Sequence, residues 1–100
     1  MRFRPTAFAW IDLEVSTAPA WDRAQVQRLA RSLGFVLLWP EPSLIPLADQ
    51  VAEADVDALI TPSPTHLSAL TLNALMRFTD VETVSPRLSF ARWSFGKRLV

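Results

Sequence analysis

The chain has no cysteine, one histidine, one lysine and no net charge over its 100 residues, and each shortage closes a route to function. Without cysteine there are no disulfides, no thiolate nucleophile and no Cys-based zinc site, a pattern suited to a reducing cytoplasm. The lone histidine, His66, cannot build a triad or a metal site without partners from elsewhere in the chain. A formal charge of zero gives the molecule as a whole no electrostatic reason to seek nucleic acid or an anionic membrane. Long apolar runs are missing too: the one that follows the basic Met1-Arg2-Phe3-Arg4-Pro5 start is broken by Asp12 and Glu14, too early for a signal segment or a membrane span. The expectation is a soluble cytoplasmic protein with no cofactor, no metal and no membrane partner.

Half of the residues are hydrophobic, enough for one compact domain and too few for a second core, and self-association would help so small a domain. Charge is unevenly spread. Between Asp12 and Asp57 eight acids outnumber Arg23, Arg28 and Arg31, whereas Arg87, Arg92, Lys97 and Arg98 follow the last acid, Glu82.

Ala7-Phe8-Ala9-Trp10-Ile11-Asp12-Leu13 reads as a strand buried on both faces. Ser16 or Thr17 is placed to cap a helix opened by Pro19, with Val26, Leu29, Ala30 and Leu33 on its apolar face, Arg23 on its wet side and Gly34 at its left-handed stop. Phe35 to Trp39 is a second apolar run, ended by Pro40. After the extended Pro40, Pro42 and Pro46 segment, Leu47, Val51 and Ala54 mark a short helix. Ala58-Leu59-Ile60 is the third strand, Thr65 caps a helix running to about Phe78, and Val81 to Val84 is the fourth strand, stopped by Pro86.

This alternation predicts an α/β domain over residues 1–86: a four-stranded, mainly parallel sheet flanked by helices, in flavodoxin-like order. Residues 87–100 form a basic, aromatic tail that docks on the domain or on a partner. In such sheets function sits beyond the carboxyl ends of the strands, which gathers Asp12, Glu14, Ser16, Trp39, Thr61, Ser63, Thr65 and His66 on one rim.

The terminal strand, the Ser16 loop, the Ile45-Pro46-Leu47 helix start and the Pro62-Ser63-Pro64-Thr65-His66-Leu67-Ser68 turn together resemble the catalytic domain of serine recombinases, the resolvase and invertase family, over about Ala7 to Val84. The resemblance implies a resolvase-like fold, a nucleophilic serine at the end of the first strand and arginines on the DNA phosphate. Those residues have been replaced. In the best register Asp12 stands for the first arginine and Glu14 for the serine. A shifted register, Glu14-Val15-Ser16-Thr17, restores a serine at Ser16 but still puts an acid in the arginine's place, and Thr65-His66-Leu67-Ser68-Ala69 replaces the later arginine motif. Phosphoryl transfer needs fixed cations at the developing charge, so the expectation is a degenerate domain that does not cleave DNA and is not an enzyme.

Other candidates divide by chemistry. Ser16 and His66 are the candidate catalytic groups, although Ser16 has no base placed near it by sequence and reads first as a helix cap, and His66 reads as a surface or rim group. Asp12, Glu14, Ser63, Thr65 and His66 form a candidate ligand rim; projecting from one face of an extended chain, the two acids offer too few oxygens for Mg²⁺. Leu72, Met76, Phe90, Trp93 and Phe95 are the candidate interface, on a third helix that is apolar around most of its circumference and on the tail. Arg87, Arg92, Lys97 and Arg98 are the candidate nucleic-acid contacts. The expected role is protein-protein association, self-association included. A DNA-associated accessory is the first alternative, and a small-molecule or metal-binding enzyme using Asp12, Glu14, Ser16 and His66 is the second.

Overall fold

Four parallel strands and one antiparallel strand make the sheet on which the chain folds. The computed structural model describes residues 4–93. Within them β1 (Thr6–Ala9), α1 (Pro19–Leu33), β2 (Val36–Leu38), α2 (Leu47–Ala54), β3 (Ala58–Thr61), a 3₁₀ turn (Pro64–His66), α3 (Ala69–Leu75), β4 (Asp80–Thr83) and β5 (Leu88–Phe90) follow one another. The sheet order is β2-β1-β3-β4-β5, in which Ala7 lies opposite Leu37 and Ala58, Leu59 opposite Val81, and Val81 opposite Phe90 of the antiparallel β5. The first four strands thus take the 2-1-3-4 order common to flavodoxin-type sheets. No helix among the described residues is long and apolar enough to cross a membrane.

Five strands, not four, make the sheet, and the fifth comes from the segment expected to be tail. It is held there by a turn organised around Thr83, whose buried hydroxyl donates to the Pro86 carbonyl at 2.5 Å and accepts the Leu88 N–H at 3.0 Å. Leu88 and Phe90 alternate with Ser89 and so point their side chains to one face of the sheet. Strand β1 ends at Ala9, not Leu13. The Trp10 N–H still reaches the Ile60 carbonyl at 3.0 Å, but the chain then turns back on itself as the Val15 and Ser16 N–H groups close on the Asp12 carbonyl. Strand β2 lies at the edge, and Val36 and Leu38 of its apolar run are exposed. The expected third helix is divided. Thr65 falls within the 3₁₀ turn, and Ser68 caps α3 by accepting the Thr71 N–H at 3.0 Å.

Alternation along the two central strands sorts side chains by size. Ala7, Ala9, Ala58 and Ile60 face α1 and meet Val26 and Ala30, whereas Phe8, Leu59 and Val81 face α2 and α3 and meet Val51, Val56 and Leu75. Alanines on β1, β3 and α1 let one helix lie close over the sheet. Its start and stop are local: Pro19 opens it, and Gly34, at φ 83°, ends it while the Phe35 N–H returns to the Ala30 carbonyl at 2.8 Å. On the other face the larger side chains fill the space under two shorter helices that also pack on each other.

Leu59 is fully buried in the middle of this sheet, whereas Leu44 projects from a loop fully into solvent. Leu59→Ala is expected to cost about 2–5 kcal/mol of unfolding free energy in urea denaturation. Leu44→Ala is expected to stay within about 0.5 kcal/mol of the parent.

Candidate functional site

The β1–α1 loop is shaped by one residue. Asp12 accepts the Glu14 N–H on its own carboxylate at 3.0 Å and the Val15 and Ser16 N–H groups on its carbonyl, a local turn that short acidic side chains favour. Its N–H donates to Nδ1 of His66 at 2.9 Å, across 54 residues of sequence. Because Nδ1 accepts that bond, the proton of the neutral ring lies on Nε2, which faces the Asp22 carboxylate from 4.0 Å, beyond hydrogen-bond reach. Asp22 in turn accepts the Ser16 hydroxyl proton at 2.6 Å, and Ser16 Oγ accepts the Ala18 N–H at 3.3 Å.

These contacts correct two expectations. His66 stands at the carboxyl end of the sheet but is not a surface group: only 6% exposed, it is held against the loop that it anchors. Ser16 is not the helix cap, since Ala18 holds that position; it ties the loop to the first turn of α1 through Asp22. Ser16 and His66 share the Asp22 carboxylate, the hydroxyl bonded to it and the ring 4.0 Å from it, and this is not the nucleophile-to-base contact that activation requires.

In open parallel sheets the crevice for ligands lies where the strand order reverses, here between β1 and β3. That crevice is stitched shut. Trp10 N–H bonds the Ile60 carbonyl, Trp10 Nε1–H bonds the His66 carbonyl at 3.3 Å, and Asp12 N–H bonds the His66 ring. The opening lies one strand away, over the carboxyl ends of β1 and β2, as a cleft of about 700 Å³. Residues 9–14 line it as one wall, Pro19, Ala20 and Arg23 line it from α1, and the loop from Trp39 to Ser43 with Gln50 of α2 lines it as the other wall.

The cleft is acidic and is lined by two indoles, Trp10 and Trp39. Asp12, Glu14 and Glu41 line it against Arg23, its only cationic side chain among the described residues. The Arg23 guanidinium sits over the Trp39 ring, 4.0 Å from its centre. Prolines 40, 42 and 46 restrict the second wall, and two further bonds brace it: Gln50 Nε2–H to the Ile45 carbonyl at 2.7 Å and Ile45 N–H to Ser43 Oγ at 3.0 Å. Among the described residues no group of three His, Asp or Glu side chains is placed to hold a metal ion.

The candidates from sequence therefore separate. Asp12 and Glu14 meet in the cleft; Ser63 and Thr65, hydrogen-bonded to each other at 2.6 Å, stand on the β3–α3 turn and do not line it. Leu72, Met76 and Phe90 pack against the core on the α2 and α3 face, and the Trp93 N–H bonds the Met76 carbonyl at 2.9 Å. Arg87 pairs with Glu82 at 2.8 Å, and Arg92 donates its N–H to Asp80 at 2.8 Å. Phe95, Lys97 and Arg98 lie outside the described residues. Sequence reasoning missed Arg23, Glu41 and Gln50 as site residues. Arg23 stands four positions after Pro19, on the same side of α1, and Trp39 stands at the last position before a proline; that pairing was the available signal.

The chain matches no protein-family model, no curated protein and no solved structure.

His66→Ala removes the acceptor of the Asp12 N–H and the side chain that fills the β1–β3 crevice. A loss of about 1–3 kcal/mol in thermal or urea unfolding is expected from the orphaned donor alone. Faster amide exchange at Asp12 should accompany it.

Proposed function

We propose that the chain is a resolvase-like domain without strand-cleaving chemistry, a cytoplasmic protein that works by protein association, self-association included. Its contact surface is the rim of the cleft at the carboxyl ends of β1 and β2. The observation that carries this reading is the exposure of Leu13 (71%), Leu44 (fully) and Ile45 (51%) on the two loops that wall the cleft. Large aliphatic side chains on braced loops around a concavity mark a surface meant to be covered. Leu72, Met76 and Phe90, by contrast, spend much of their surface within the fold.

Loss of cleavage is supported by charge. Where the recombinase resemblance calls for guanidiniums and a serine, the cleft presents Asp12 and Glu14, joined by Glu41. Carboxylates at that place repel a phosphodiester and destabilise the charge that develops on it. The DNA-accessory alternative is weakened in the same way, because Arg87 already pairs with Glu82 and the Arg92 side chain donates to the Phe78 carbonyl at 3.4 Å. The enzyme alternative needs Ser16 and His66 beside Asp12 and Glu14, and neither lines the cleft.

Light scattering tests the association. The full chain is expected above its monomer mass of 11.2 kDa, and the variant Leu13→Ser/Leu44→Ser/Ile45→Ser at monomer mass with an unchanged thermal midpoint. A parent that stays monomeric, or a variant as associated as the parent, contradicts the reading.

A further inference from the structure

We infer that the cleft between the β1–α1 and β2–α2 loops receives a basic side chain, an arginine carried on a segment of a partner protein, with Trp39 as its platform. This rests on the association reading above and names the chemistry of the partner. Three observations converge. The lining holds three carboxylates against one guanidinium, a charge that favours a cationic guest and opposes phosphate or carboxylate. The Trp39 ring already carries a guanidinium on its face, that of Arg23 at 4.0 Å, so its accessible surface suits that group. Leu13, Pro19, Pro40 and Pro42 supply apolar walls against which the methylene stem of a long basic side chain can lie.

Arg23 then has a definite part. It is an exposed residue on the first turns of α1 and no salt bridge in the described residues fixes it, so it acts as an internal stand-in that yields the ring to the incoming cation. Its head group moves into solvent while the guest takes its place among Asp12, Glu14 and Glu41. The volume of about 700 Å³ is large for one side chain and admits part of the backbone that bears it, which favours a peptide segment over a free small cation.

The sign of one substitution separates this from its opposite. Isothermal titration of the full chain uses a capped peptide with one central arginine among alanine and glycine, the same peptide with citrulline, and methylguanidinium. The arginine peptide is expected to bind at low salt, the citrulline peptide about tenfold or more weakly, and methylguanidinium more weakly than the arginine peptide. Arg23→Ala is expected to tighten binding by removing the competitor, and Glu14→Gln/Glu41→Gln, on two exposed side chains, to weaken it several-fold with unchanged thermal stability. If the parent associates and the arginine peptide drives it to monomer, the inference stands with a second copy as the partner. Binding lost in Arg23→Ala, citrulline bound as tightly as arginine, or no binding by either parent or Arg23→Ala overturns it. Methylguanidinium bound as tightly as the peptide overturns the peptide form. None of these results depends on the Leu13, Leu44 and Ile45 variant, so a failure here leaves the association reading to be judged on its own measurement.

Discussion

The hydrogen bond from the Asp12 N–H to the His66 ring is the contact on which the arrangement of the site depends. Its net worth is about that of any buried hydrogen bond, roughly 1 kcal/mol, but the cost of leaving its donor orphaned is larger, and it joins two loops that the chain could otherwise place independently. With Trp10 bonded to Ile60 and to the His66 carbonyl, it fills the crevice where strand order reverses. A parallel sheet of this order offers its ligand site there by default. Closing it moves the usable concavity to the β1 and β2 side.

The packing on the two faces explains what that concavity contains. Small residues at Ala7, Ala9, Ala58 and Ala30 draw α1 close over the sheet, which sets its first turns beside the end of β2 and leaves Arg23 over Trp39. The opposite face is filled by Phe8, Leu59, Val81 and Leu75 beneath α2 and α3, and these helices take up Leu72 and Met76 as part of the same layer. Leu13, Leu44 and Ile45 keep exposed apolar surface on the loops, as do Trp21 on α1 and Leu70 on α3. What sets the rim apart is that exposed apolar side chains there stand beside gathered acidic charge.

Much of this was legible from local signals. Pro19 and Gly34 bound α1 because proline fits a first helical turn and glycine a left-handed stop, both consequences of the backbone alone. The apolar runs around Phe8, Leu37 and Leu59 identify strands for the same reason, and their alternation with helices gives the parallel order. The misses are tertiary. Trp10 and Ile11 continue an apolar run with no local break; the Trp10 N–H still joins the ladder at Ile60, and it is the Asp12 turn that carries the chain away from the sheet. Leu88-Ser89-Phe90 is too short for its period to declare a strand, and β5 forms because β4 and the Thr83 turn receive it. The burial of His66 depends on a partner 54 residues away that no linear pattern discloses, and the Arg23 and Trp39 contact joins two separate elements, of which the sequence marks the positions but not the meeting.

The central claim is that the chain meets its partner through the rim of the β1–β2 cleft, and a concentration series of amide and indole chemical shifts over the full chain tests it most directly. The account predicts changes confined to residues 10–15 and 39–45 and to the Trp39 indole, with α3 and β5 unmoved. Changes centred on Leu72, Met76 and Trp93 with a silent rim, or spectra that do not depend on concentration, would contradict it.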